Sequence, residues 1–296
     1  MHLSNNEELL AVHYLDGKIG LWDLEFGRLV RTFDALKTCH QGMFSADGKT
    51  LTTVYHSGIK KWRVFYRHRL YTINIDRKGL VKLDVNYNGR IFASRDDSNI
   101  VQLWNASSGK KVGILKHQYP TLAMSFHQKK DILAVSCSNH RIYLWDIKTK
   151  QQLYSIAAAN IEVMKFSPIK TNILTYASHN KNFFYDIDAK RNTKVLKCNK
   201  IITAIAYSQK FFGAATAKSV TLWNLSDYSL YKHMERNVFH NKNRFPFSSI
   251  FLDKKGNLLA RAERDIYVLD ISTTKIKLHV PDLTFLHIYR ILIVFT

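Results

Sequence analysis

Apolar and polar residues alternate along this chain in short runs that return at a nearly fixed interval. Each run follows a polar turn and ends in a large side chain, as in DGKIGLWD, SNIVQLWN and KSVTLWN. The seven end residues are Trp22, Trp62, Trp104, Trp145, Tyr185, Trp223 and Leu269. Their successive spacings are 40, 42, 41, 40, 38 and 46 residues. A period near 40 indicates one supersecondary unit repeated seven times.

Each repeat carries the pattern of four short strands. In the fourth repeat, alternation at Leu122, Met124 and Phe126 predicts a half-buried strand, and the apolar run 132–136 predicts a strand covered on both faces. Two further runs, 142–145 and 152–156, complete the unit. A four-stranded antiparallel sheet of this kind needs other sheets stacked on both faces. We therefore predict an all-β, seven-bladed β-propeller, with residues 1–296 as a single domain.

Two segments resemble WD40 repeats, LAVHYLDGKIGLWDLEFGRLVRTF and LAVSCSNHRIYLWDIKTKQQL, and the resemblance extends over the whole chain. It implies a seven-bladed β-propeller that acts as a non-catalytic interaction platform. The family's Gly-His pair is essentially missing, with His40 and His117 as the nearest candidates, while its turn aspartate is kept at Asp16 and Asp97. The seven end residues are then expected to be structural blade anchors, and apolar stacking to matter more than polar networks.

The chain begins near the second strand of its first repeat and ends after one strand-like segment, LTFLHIYR. That segment could supply the first strand of blade one through Leu283, Phe285 and Ile288. The alternative is that the chain is a fragment of a longer protein. Both interpretations keep seven blades.

The net charge is the most unusual bulk property. Lys and Arg number 44 against 23 Asp and Glu, a formal charge of +21. Such an excess attracts acidic proteins or phosphate polymers, although lysines occur in every repeat and the charge could be compositional. Three cysteines without metal-ligand spacing favour a reducing compartment. With no signal peptide and an apolar tail too short to span a bilayer, we expect an intracellular protein, cytoplasmic or nuclear, without membrane insertion.

No catalytic motif occurs in the sequence, and its 13 histidines are scattered without metal-ligand spacing. We therefore expect no enzyme, no cofactor, no metal and no small-molecule substrate.

The resemblance implies that the loops before the first strand and between the second and third strands share one rim, and in this sequence these loops are rich in cations and rings. The longest spacing also contains HMERNVFHNKNRFPF, in which basic residues and phenylalanines alternate as they would for stacking and phosphate contact with RNA. The alternative is that Phe245 and Phe247 begin the next strand and the rest is a solvated loop. The candidate partner-binding residues from these loops are His117, Tyr119, His140, Arg141, Lys181, Lys218, Arg236, His240, Lys242, Arg244, Phe245 and Arg264.

These features favour a scaffold that presents a cationic rim to acidic protein partners. An RNA-associated propeller of a ribonucleoprotein or ribosome-assembly complex is the first alternative. The second is a substrate receptor of a ubiquitin ligase, since Trp145-Asp146-Ile147-Lys148 is similar to the Trp-Asp-x-Arg/Lys ending of such receptors.

Overall fold

A computed structural model describes residues 2–4, 8–14, 16–24, 26–34, 39–45, 47–55, 58–64, 69–74, 82–95, 99–161, 163–239, 247–253, 257–262 and 265–280. These residues form 28 strands and one 3-10 helix. The strands group into seven four-stranded sheets, and in each sheet the spatial order follows the chain order. The predicted all-β, seven-bladed propeller of four-stranded antiparallel blades is confirmed.

The first four sheets contain strands β1 to β16. Sheet one consists of β1 (His2–Leu3), β2 (Leu9–His13), β3 (Lys18–Asp23) and β4 (Arg28–Asp34). Sheet two consists of β5 (Cys39–Phe44), β6 (Thr50–Tyr55), β7 (Gly58–Arg63) and β8 (Arg69–Asn74). Sheet three consists of β9 (Lys82–Val85), β10 (Ile91–Arg95), β11 (Ile100–Asn105) and β12 (Lys111–Lys116). Sheet four consists of β13 (Thr121–Phe126), β14 (Ile132–Cys137), β15 (Arg141–Asp146) and β16 (Gln152–Ala157).

The remaining three sheets contain strands β17 to β28. Sheet five consists of β17 (Val163–Phe166), β18 (Ile173–Ser178), β19 (Lys181–Asp186) and β20 (Arg191–Lys197). Sheet six consists of β21 (Ile202–Tyr207), β22 (Phe211–Thr216), β23 (Ser219–Asn224) and β24 (Leu230–Glu235). The 3-10 helix, Arg236–Phe239, follows β24. Sheet seven consists of β25 (Phe247–Leu252), β26 (Asn257–Ala262), β27 (Asp265–Asp270) and β28 (Ile276–Val280).

The chain divides into two compact units, residues 1–166 and 167–296. In the first unit, Leu9, Leu21 and Phe44 belong to one buried apolar cluster. In the second unit, a larger cluster includes Leu222 and Leu258. Second and third strands supply most of this buried surface because both of their faces are covered.

The first sheet corrects the expectation about chain closure. Its first strand comes from the N-terminus itself, with His2 opposite Ala11 and Leu3 opposite Leu10. The place proposed for the C-terminal segment is therefore occupied by residues 2–3. Leu283, Phe285 and Ile288 lie outside the described residues.

Six of the seven predicted blade anchors are buried, and Trp62 is partly buried. Four of the five tryptophan anchors donate a hydrogen bond from the indole nitrogen, at 2.7 to 3.0 Å, and the acceptor differs from sheet to sheet. The acceptors are Tyr14 Oη for Trp22, Thr53 Oγ1 for Trp62, Ser94 Oγ for Trp104 and His117 Nε2 for Trp145. Each of these four indole N–H groups thus has an acceptor, as a buried donor requires.

Sequence reasoning missed a second position that recurs in every sheet. The residue directly after the first strand accepts a hydrogen bond from a backbone N–H, either in the following turn or at the first residue of the second strand, over 2.6 to 3.1 Å. The acceptors are Ser4, Ser45, Asn86, His127, Ser167, Ser208 and Asp253. Because four residue types serve as this hydrogen-bond acceptor, the recurring position cannot be recognised from residue identity.

Candidate interaction surface

The third strand of sheet five begins opposite the end of the fourth strand, and both positions are lysines. Lys181 on β19 is the register partner of Lys197 on β20. The neighbouring backbone bond runs from Cys198 N to Asn180 O at 2.8 Å. Lys181 and Lys197 therefore form a non-hydrogen-bonded pair, the type whose side chains lie closest together.

A third lysine extends this pair. Lys200 follows β20 in the loop that leads to β21, and Lys181, Lys197 and Lys200 are all exposed. We call these three residues the sheet-five lysine cluster. Within the described part of the chain, none of them forms an ion pair. Like charges directly opposite each other on two strands repel, so this end of the sheet is a site of uncompensated positive charge.

The equivalent cross-strand pairs in other sheets differ in charge. Sheet one has Lys18 opposite Asp34, an attractive pair. Sheet four has Arg141 opposite Ala157, and the Arg141 guanidinium donates to Ser155 Oγ at 2.8 and 3.0 Å. Among these three sheets, only sheet five places two cations opposite each other.

The other predicted partner-binding residues differ in exposure, and some lie outside the described residues. Tyr119, His140 and Lys218 are exposed, and His140 adopts a left-handed φ of 61°. Arg236 is half-buried in the 3-10 helix. Five further candidates, His240, Lys242, Arg244, Phe245 and Arg264, lie outside the described residues.

The expectation for His117 requires correction. Its side chain is only 8% exposed, and its ring packs edge-on against Trp145 with centroids 5.2 Å apart. Burial lowers the pKa of His117 to about 4. The ring therefore stays neutral, and its Nε2 can accept a hydrogen bond from the Trp145 indole N–H. His117 is a structural acceptor and does not contribute to the surface.

The segment proposed for RNA stacking is also corrected in part. Phe239 and Phe247 are fully buried and pack on each other with centroids 4.8 Å apart. Phe239 also contacts Tyr267 edge-on at 5.9 Å. These two rings belong to the core, since a ring that stacks on a base must reach the surface.

The Trp-Asp-x-Lys ending of sheet four is engaged locally. Asp146 Oδ1 accepts a hydrogen bond from Thr149 N at 2.8 Å and caps the turn. Lys148 pairs with Asp131 over 3.2 Å. The side chains at this ending therefore have structural partners within their own repeat.

Sequence reasoning also missed a group of charges on inner strands of residues 1–166. Lys82 and Asp84 lie on β9, Arg95 on β10 and Lys165 on β17. Burial lowers the pKa of both lysines, and Arg95 lowers that of Lys82 further. Burial also raises the pKa of Asp84 to about 6. Alternation alone marks such positions as ordinary polar residues, so only the fold brings these charges together.

The described residues contain neither a candidate metal site nor a candidate membrane-spanning helix. No group of three or more His, Cys, Asp or Glu residues there could hold a metal ion. No helix in that part of the chain is long and apolar enough to cross a membrane.

Comparison with known proteins links these sheets to WD-repeat proteins. The chain is 26% identical over 148 residues to the WD repeat-containing protein SL1-17 of Schistosoma mansoni, covering 49% of each chain. It is 25% identical over 210 residues to the Arabidopsis thaliana Transcriptional corepressor LEUNIG_HOMOLOG, covering 67% of this chain and 26% of that protein. The predicted resemblance to WD40-repeat β-propellers is confirmed by these similarities.

A third relative is the Arabidopsis thaliana Protein SUPPRESSOR OF PHYA-105 1, 28% identical over 152 residues that cover 48% of this chain and 14% of the relative. The matched segments thus span half or less of each of these three proteins. No protein-family model matches the chain.

Proposed function

We propose that this WD40-repeat propeller is a non-catalytic protein-interaction scaffold, and that its sheet-five lysine cluster binds an acidic segment of a protein partner. The observation that carries the proposal is the Lys181–Lys197 pair, two exposed cations held opposite each other without a described counter-charge. An acidic partner removes the repulsion between these two lysines. Binding is therefore favoured by the loss of an electrostatic repulsion that is present in the free protein.

The similarity to WD-repeat proteins supports the scaffold half of the proposal, and one relative, named as a transcriptional corepressor, agrees with an intracellular role. The formal charge of +21 supports the acidic half, because a basic surface attracts acidic partners during encounter. Lys218, also exposed and at the start of the third strand of sheet six, is expected to add to the same attraction.

Fluorescence anisotropy with a labelled oligoglutamate peptide tests the proposal on the full chain. The double variant Lys181→Gln/Lys197→Gln should weaken binding by about tenfold, which corresponds to about 1.4 kcal/mol. The matched control is Arg191→Gln/Lys194→Gln, which removes two exposed cations from the same strand region. If both double variants weaken binding equally, the net charge acts diffusely and the lysine cluster is not the contact.

Purification of the tagged protein from its own cells, with and without nuclease, separates the alternatives. Protein partners that survive nuclease and are lost from Lys181→Gln/Lys197→Gln support the scaffold. Partners that disappear with nuclease would favour the RNA-associated propeller instead, and their affinity should then fall steeply with salt.

A further inference from the structure

The loop between sheets five and six carries the most exposed large apolar side chain among the described residues. Ile201, between β20 and β21, is 65% exposed, whereas Ile161 in the loop between sheets four and five is 1% exposed. Each lies three residues after a backbone N–H that donates to the turn between the second and third strands at 2.8 Å, that of Cys198 and that of Ala158. The same loop position is thus buried after sheet four and left in water after sheet five.

The exposure of Ile201 does not come from a loop without hydrogen bonds. On one side of it, Asn180 Nδ2 donates to Cys198 O at 3.0 Å. On the other side, Ile202 N donates to His179 O at 2.8 Å, and the Ile202 side chain is buried. The loop is therefore fixed to the β18–β19 turn before and after Ile201. A side chain held in this way loses little conformational freedom when a partner covers it.

Cations lie on both sides of this isoleucine. Towards sheet five, Lys200 of the sheet-five lysine cluster directly precedes it. Towards sheet six, Ile202 is the register partner of Thr216, whose Oγ1 accepts a hydrogen bond from Lys218 N at 3.2 Å. Lys200 and Lys218 are both exposed, and within the described part of the chain neither forms an ion pair. One end of two neighbouring sheets therefore presents an apolar side chain flanked by positive charge.

We infer that the acidic partner segment carries an apolar side chain between its acidic residues, and that this side chain packs on Ile201. The inference rests on the proposed function, since it concerns the same surface. Acidic residues on the two sides of the apolar one are complementary to the sheet-five lysine cluster and to Lys218. Contact with Ile201 removes apolar surface of both molecules from water, which a segment of acidic residues alone does not achieve. Charge then attracts the segment, and the apolar contact distinguishes it from other acidic chains.

Fluorescence anisotropy on the full chain tests this with three labelled oligoglutamate peptides. One has a central leucine, one has serine at that place, and one has the leucine at its end. The central leucine should tighten binding by about fivefold over serine. Ile201→Ser should abolish that gain and leave the affinity for the serine peptide unchanged.

The matched control is Ile169→Ser, which should keep the gain. Ile169 is 49% exposed and lies in the turn between β17 and β18, at the opposite end of sheet five from the β18–β19 turn. Lys218→Gln should weaken the central-leucine and serine peptides alike, by about two- to fivefold, because it removes one of the flanking charges.

The inference is overturned if the central leucine brings no gain, if the gain survives Ile201→Ser, or if the end leucine binds as tightly as the central one. The proposed function stands in each of these cases when the serine peptide still depends on Lys181 and Lys197. If that dependence is missing, the proposed function and the inference fail together. Tighter binding of oligouridylate than of the central-leucine peptide would overturn both in favour of RNA.

Discussion

Inner strands have the same topology in the two units but carry different side chains, charged ones in residues 1–166 and apolar ones in residues 167–296. In residues 1–166, β9 meets β13 through Asp84, whose carboxylate accepts from Phe126 N beside Lys82 and Lys165. In residues 167–296, β21 and β25 contribute Ala206 and Ile250 to one apolar cluster. The four-stranded repeat fixes where strands lie and leaves the chemistry between neighbouring sheets free to vary.

The apolar example in residues 167–296 is closely packed. A Cβ added at Gly213 would lie 2.9 Å from Leu222 Cδ2 and 3.2 Å from Leu252 Cδ1. A neutral side-chain hydrogen bond joins β21 to β25, from Thr203 Oγ1 to Phe247 O at 2.6 Å. We infer that this interface serves stability, whereas the charged strands of residues 1–166 carry an electrostatic cost.

The largest expected effect comes from breaking the apolar interface. Phe247→Ala should lower the free energy of unfolding by about 3–5 kcal/mol, because the ring is fully buried against Phe239 and leaves a cavity. Chemical denaturation of the full chain measures this loss. Phe26→Ala is the control, since that ring is 54% exposed. Equal losses in both variants would show that the sheet-seven ring is not a core residue.

Acid should destabilise the fold through His117. Its pKa is lowered by burial from 6.5 to about 4, so its contribution to stability is fully present above pH 6.5 and is lost as the pH falls through 4. The loss amounts to about 3 kcal/mol between pH 7 and pH 4. Denaturation of wild type and His117→Gln across this range measures it. Glutamine can accept from Trp145 without titrating, so parallel profiles for the two proteins would contradict the assignment.

Asp84 should contribute with the opposite sign. Burial raises its pKa from 3.8 to about 6, so the folded state binds a proton more tightly than the unfolded state does. Its stabilising contribution is fully present below pH 3.8 and is lost as the pH rises through 6, by up to about 3 kcal/mol. Asp84→Asn should lack this dependence. A wild-type profile that equals that of Asp84→Asn between pH 4 and pH 7 would refute the interpretation.

The smallest expected effect concerns the sheet-five lysine cluster. Lys197→Glu creates an attractive pair with Lys181, as Lys18 and Asp34 form in sheet one. The free energy of unfolding should rise by about 0.2–1 kcal/mol at low salt, and the gain should shrink as salt screens the pair. Lys197→Gln serves as the neutral control. A lower stability for Lys197→Glu than for Lys197→Gln would show that the two side chains do not interact.

The sequence determined the fold class because the alternation of apolar and polar residues that predicts a strand is set by neighbouring residues, and here it repeats along the chain. A period near 40 and a large apolar residue at the end of each third strand were sufficient to predict seven four-stranded sheets. The same patterns placed Tyr119, His140, Arg141, Lys181 and Lys218 on the surface, where the structure has them.

Other properties depend on which side chains meet across strands and sheets, and these only the tertiary structure decided. From the sequence, Phe247 could be a loop ring or the start of a strand, and the structure places it in the core. His117 accepts a hydrogen bond from a tryptophan 28 residues away. Likewise, Lys82 and Lys165 become one electrostatic group only because β9 and β17 belong to the same compact unit. Alternation along a strand reports which face a residue occupies. The partner facing it is set by register and by the stacking of sheets.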